Sequence, residues 1–223
     1  MTEITIEERR MTQRREGGKP VPPASQSERR VRERRQSEPA QPGYFISDIE
    51  EIRRRARSHI EDGAITAGYK ADRETVVRIL NEALATEIVC VLRYKRHYFM
   101  ATGIHAQAVA QEFLEHANDE QGHADRIAGR ITQIGGAPNF NPEGLASRSH
   151  AQYVEGETLV EMIREDLIAE RIAIESYGEI IRYLGDGDVT SRRLMEEILA
   201  NEEEHADDLR DLLATLDPTQ PGD

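Results

Sequence analysis

Two short stretches carry side chains that hold transition metals. Residues 119–123 read Asp-Glu-Gln-Gly-His and residues 201–205 read Asn-Glu-Glu-Glu-His, so Glu120 with His123 and Glu202 with His205 each form Glu-x-x-His. On a helix this spacing puts the carboxylate and the imidazole on one face, where one can bridge and the other terminate. Oxygen ligands suit ferrous and ferric ions alike, and imidazole tunes redox behaviour. A lone Glu-x-x-His is weak, because charged helices produce it often on a solvated face. Here the second copy lies 82 residues from the first and other residues repeat with it. Glu87 and Glu170 are 83 apart, Tyr94 and Tyr177 each follow them by seven residues, and His-Ala-Asp recurs at 123–125 and 205–207.

Four helices are needed to position these residues. Runs at about 73–101, 106–134, 156–184 and 189–215 read as helical, broken at Thr102-Gly103, at Gly135-Gly136-Ala137-Pro138 and at residues 184–188, Leu-Gly-Asp-Gly-Asp. Short links join the first run to the second and the third to the fourth, which makes two antiparallel hairpins. The link between the hairpins is about 20 residues, enough at roughly 3.3 Å each to travel back along a helix of roughly 42 Å. An all-α four-helix bundle with one long crossover follows, the ferritin-like arrangement. Residues 141–154 within the crossover could form a short helix of their own.

Depth in this bundle groups the motifs. Glu120 lies about 16 residues past the first hairpin turn and Glu87 about as far before it; Glu202 and Glu170 flank the second turn in the same way. Each hairpin therefore offers one lone Glu and one Glu-x-x-His at mid-height. Four carboxylates and two imidazoles on inner faces are the ligand set of a di-iron or di-manganese carboxylate site. Without cations the four Glu would repel severely; two divalent ions cancel the charge. The neighbouring positions Ala117, Ala124, Ile127, Ile198, Leu199 and Leu209 continue the faces as apolar surface. Nearby, His116 falls one turn before Glu120, either backing the ligands or exposed. Tyr94 and Tyr177 suit packing, with Tyr94 the tentative electron donor or hydrogen-bond partner of a ligand. Cys90 reads as a small buried apolar residue, and Asp125 and Arg126 as ion-paired rim residues.

The rest of the chain sets limits. It has 223 residues, 32% charged and 38% hydrophobic, with no Trp and a single Cys. That balance favours amphipathic helices over a sandwich of strands, and one Cys excludes an intrachain disulfide. The absence of an apolar leader or spanning segment points to a cytoplasmic, non-membrane protein. Residues 1–43 hold ten basic and seven acidic residues, while the remainder holds 19 and 35. The body is thus strongly acidic, which attracts cations and repels nucleic acid. Residues 1–43 read as a disordered, Pro-rich basic tail whose arginines could touch DNA or a partner weakly. Residues 44–72 read as a short helix and linker: Ser47 or Asp48 caps it, Ile49, Ile52, Ala56 and Ile60 form a stripe, and it ends near Asp62-Gly63. Such a helix should dock on the body or on a neighbouring subunit. The bundle takes residues 73–216, and 217–223 form a tail.

The motifs resemble the ferritin-like superfamily, bacterioferritin most closely. Leu80–Tyr94 is similar to the first helix of that family, Asp119–Ile127 to its second, Asp166–Ile174 to its third and Asn201–Leu209 to its fourth. The resemblance implies that Glu87, Glu120, His123, Glu170, Glu202 and His205 are ferroxidase ligands for two irons, with manganese an alternative. It gives Glu87 a bridging character and lets Glu120 bridge with a partner. Gln121 stands where bacterioferritin has its haem-ligating methionine, so no haem of that kind is expected. Only 18 residues follow His205, too few for the fifth helix of the larger cages, and the extra N-terminal helix resembles Dps-like proteins. Those with an internal site of this type usually carry a cysteine pair, which this chain lacks.

The function expected is a ferroxidase that oxidises Fe(II) with O2 or H2O2 for iron storage and detoxification, inside a homo-oligomeric cage. The alternatives are a di-metal oxidase, peroxidase or manganese catalase without storage, a Dps-like DNA-protecting protein that uses its tail, and a cargo protein addressed by that tail.

Overall fold

A computed structural model describes residues 48–104 and 106–216. The expectations for the tails at 1–43 and 217–223, and for a cap at Ser47, lie outside the described residues. Among those described there is no strand, and six α-helices follow in order: α1 (Ile49–Ala56), α2 (Arg73–Met100), α3 (Ala106–Gln133), α4 (Leu145–Arg148), α5 (Leu159–Leu184) and α6 (Val189–Leu216). Helices α2 and α3 form one antiparallel hairpin and α5 and α6 the other. The crossover between them carries the short α4, so the fold is a ferritin-like four-helix bundle. Among the described residues, no helix is long and apolar enough to cross a membrane.

Local chemistry sets the ends. The Asp72 side chain accepts from the Thr75 amide at the start of α2. Thr158 and Glu161 form a reciprocal capping box at α5, which delays that helix to Leu159 rather than residue 156. Helix α3 stops at Gly135, whose φ of 78° is the left-handed conformation that glycine adopts without strain. A side chain at Gly136 would meet Val77 Cγ2 at 2.6 Å, so the turn also needs a bare backbone there.

The N-terminal helix departs from expectation. Asp48 caps it by accepting from the Glu50 amide, but it stops at Ala56, well short of Asp62-Gly63, with a separate 3-10 turn at Ile60–Asp62. None of its residues is buried, and Ile49 and Ile60 are 53% and 76% exposed. Its first-turn acids and last-turn arginines pair along the helix instead, Glu50 with Arg53 and Glu51 with Arg54. The stripe therefore contributes no buried residue to the body of this chain.

Two apolar clusters fill the bundle, one toward each end. Val76, Leu80, Leu84, Ile127, Ile131, Leu184, Met195 and Ile198 belong to the first. Val109, Phe113, Ala117, Met162, Ile163 and Leu209 belong to the second. A polar network ties the crossover to the second cluster. The buried Arg93 donates from Nε to Asp166 Oδ1 at 2.7 Å and from Nη1 to the Gln152 carbonyl at 2.9 Å. His97 meets Asp166 Oδ2 at 2.8 Å and the Glu155 carbonyl at 2.9 Å. Helix α2 thus holds α5 and the returning chain through one carboxylate. Removing one partner of such a buried pair strands the other charge, a loss of about 3–5 kcal/mol. Asp166→Ala should therefore lower the unfolding free energy by about that amount in urea titrations of the metal-free protein, at unchanged denaturant slope.

Candidate metal centre

Between the two apolar clusters the bundle turns polar. Glu87 from α2, Glu120 and His123 from α3, Glu170 from α5, and Glu202 and His205 from α6 are all buried, none more than 4% exposed. The structure brings all six together, in two sets. Ligand atoms of Glu87, Glu120, His123 and Glu202 lie within 4.8 Å of one another, and so do those of Glu120, Glu170, Glu202 and His205. Glu120 and Glu202 belong to both sets, and Glu87 and Glu170 to one each. Each set joins two carboxylates common to both with one Glu and one His of its own.

The imidazoles point inward by their Nδ1 atoms. His123 Nδ1 lies 3.0 Å from Glu202 Oε1 and 3.4 Å from Glu87 Oε2. His205 Nδ1 lies 3.5 Å from Glu120 Oε1 and 3.6 Å from Glu202 Oε2. Despite this proximity the inner atoms are not aligned for hydrogen bonds. Glu87 Oε2, Glu120 Oε1, Glu170 Oε2, both oxygens of Glu202 and Nδ1 of both histidines are buried without a hydrogen-bond partner. Buried polar atoms are ordinarily satisfied, and seven orphans facing one another indicate that something else fills their lone pairs. A set of oxygen and imidazole donors with four carboxylates fits two divalent first-row cations.

The outer atoms of the same side chains are held, and the pattern is reciprocal between hairpins. The Tyr94 hydroxyl of α2 donates to Glu170 Oε1 of α5, and the Tyr177 hydroxyl of α5 donates to Glu87 Oε1 of α2. Each tyrosine shares a helix with one lone Glu but bonds the other. Asn201 Oδ1 lies 3.0 Å from His123 Nε2, and Asp119 Oδ2 lies 3.5 Å from His205 Nε2. The residue before each Glu-x-x-His thus meets the outer ring nitrogen of the opposite motif, the kind of contact that fixes tautomer and orientation in metal-ligating histidines. Asp119 and Asn201 open the two repeated stretches, but spacing along one helix does not show which histidine of the facing hairpin each one meets.

Further out, His116 is buried, stacks on His205 with ring centroids 4.0 Å apart, and its Nδ1 lies 3.2 Å from the Tyr94 hydroxyl. Cys90 is buried, its sulfur 3.7 Å from Arg93 Nη2, and burial pushes its thiol well up. At the rim Arg126 pairs with Glu197 of α6, while Asp125 accepts from Gln121 at 3.0 Å.

The family model described as a ferritin-like domain matches residues 77–218, and the chain belongs to that family. It is similar to the bacterioferritin of Rhodobacter capsulatus, 29% identical over 147 residues that cover 66% of this chain and 87% of the relative. Among solved structures, it is similar to the bacterioferritin-related dodecameric thioferritin of Bacteroides fragilis. That likeness has a TM-score of 0.65 at 31% identity and covers 67% of this chain and 90% of the other. Dps from Thermosynechococcus elongatus shares the fold, with a TM-score of 0.61 at 20% identity over 67% of this chain and 93% of the other.

Electrostatics of the metal-free cluster give it a pH signature. Burial, with the charges of Glu120 and Glu202, raises Glu87 well above the usual carboxylate range; burial and the same charges raise Glu170. Burial alone would lower His205, but its contacts with Glu120 and Glu202 raise it to about 10. Groups raised on folding stabilise the protein fully below their unfolded values, and that stability is lost as pH rises through the folded ones. For His205 the window runs from 6.5 to about 10. The urea midpoint of metal-free protein should therefore fall between these pH values, and His205→Gln should flatten the decline.

Proposed function

We propose that the chain is a ferroxidase of iron storage and detoxification, taking two Fe(II) as substrate at Glu87, Glu120, His123, Glu170, Glu202 and His205. The observation that carries this reading is the pair of four-residue ligand sets sharing Glu120 and Glu202, with seven orphaned atoms turned inward. Two Fe(II) supply the charge that four buried carboxylates require. Glu120 and Glu202 would hold both ions, Glu87 and His123 would complete one position, and Glu170 and His205 the other. Each Fe(II) gives one electron. O2 takes both with two protons and leaves as H2O2, or H2O2 takes them with two protons and leaves as two waters. Tyr94 and Tyr177 keep the lone glutamates aimed at the ions. Tyr94, bonded to Glu170 and to His116, would be the side chain that supplies a further electron to the oxidant.

Likeness to bacterioferritins supports iron as the metal. The Bacteroides fragilis relative, described as dodecameric, supports a homo-oligomeric cage in which Fe(III) would accumulate as mineral. The acidic body would draw Fe(II) toward the centre.

Aerobic Fe(II) titration of metal-free protein, followed by ferric absorbance, tests the reading. Oxidation should break near about two irons per chain, and the break should vanish in Glu120→Ala. Wild type that oxidises iron no faster than buffer would rule the ferroxidase out. Tyr94→Phe should keep the break and lose any tyrosyl radical signal seen by electron paramagnetic resonance after mixing with oxidant.

A further inference from the structure

A second group of ligating side chains continues the same stripe by one turn. Glu112 and His116 are one turn apart on α3, with Glu120 a turn further on, and Asp208 lies one turn past His205 on α6. Glu112, His116 and Asp208 each place a ligand atom within 4.8 Å of the others. His116 Nε2 lies 3.4 Å from Glu112 Oε1 and 3.9 Å from Asp208 Oδ2.

Hydrogen bonding fixes what that nitrogen offers. The Tyr94 hydroxyl has one proton and gives it to Glu170. Its oxygen can then only accept from His116 Nδ1. With its proton on Nδ1, the ring leaves Nε2 as a bare lone pair. This ring is 2% exposed, and Nε2 faces two carboxylate oxygens that are acceptors as well. Glu112 and Asp208 each pair with this ring nitrogen. Three converging lone pairs with no proton between them are a site for a cation. Exposure is graded: the side chains of Asp208, Glu112 and His116 are 57%, 32% and 3% exposed. One end of the group therefore meets solvent, and the other stacks on His205.

We propose that Glu112, His116 and Asp208 form a third divalent-cation site, which takes Fe(II) from solvent and passes it to the buried pair. Binding at this site stands on its own geometry; the transfer rests on the ferroxidase reading above. The test is an anaerobic Co(II) titration of metal-free full-length protein by calorimetry and visible absorbance, comparing wild type, Glu120→Ala and the double variant Glu112→Gln/Asp208→Asn. Both residues of the double variant lie toward solvent, so it should fold. Wild type should bind roughly three Co(II) per chain and the double variant roughly two, while Glu120→Ala keeps the equivalent that the double variant loses. The double variant should retain the two-iron oxidation break, with its initial rate at limiting Fe(II) down about tenfold. Equal Co(II) binding by wild type and double variant would overturn the third site. A lost equivalent with an unchanged oxidation rate would overturn the transfer. Retention of this one equivalent by a protein that binds no metal pair would instead sink the ferroxidase reading and leave the third site standing.

Discussion

Four carboxylates buried within a few ångströms of one another dominate this structure. In a metal-free interior they are a liability, because each ionised group has lost its water and gained like-charged neighbours. Two imidazoles on the same faces offset part of the charge, and the apolar clusters above and below keep solvent from relieving the rest. The bundle has to be stable enough elsewhere to carry this belt. The crossover clamp through Asp166 and the interdigitated aliphatic layers supply that stability at a distance from the ligands. The folded chain is thereby a frame around a site whose carboxylates repel one another wherever no cation offsets their charge.

Much of this was legible in the residues. Helix periodicity, glycine breaks and link lengths imply the hairpins, and counting from each turn places Glu87 level with Glu120 and Glu170 level with Glu202. That arithmetic works because a helix rises by a constant amount per residue. What it leaves open is rotation and partner choice across the bundle. Tyr94 lies on the face of Glu87 along its own helix yet bonds Glu170, because its hydroxyl reaches past the neighbouring backbone to the facing helix. The same limit hid Asn201 and Asp119, whose partners lie on opposite hairpins, and the sharing of Glu202 rather than Glu87 between the two ligand sets. The N-terminal helix was less legible for a different reason. Four apolar residues at helical spacing describe an amphipathic helix, but whether anything in the same chain covers the stripe depends on where the linker leads it.

The charge pattern and the fold point the same way. An acidic body repels nucleic acid and concentrates cations, and on the third-site proposal the graded exposure from Asp208 through Glu112 to His116 would give those cations a direction. Membership of the ferritin-like family accounts for the scaffold.

The reciprocal bonding has one further consequence. Asn201 on the second hairpin meets His123 of the first, Asp119 on the first approaches His205 of the second, and the tyrosines cross in the same sense. Each ligand set draws on both hairpins, and His205 Nε2 meets Asn201 Nδ2 of its own helix at 3.3 Å as well as Asp119 of the other hairpin. An ion held in one set would therefore fix Glu120 and Glu202, which the other set also needs. Occupancy should be cooperative, so that chains hold two ions or none over most of a titration and a half-filled, redox-mismatched centre stays scarce.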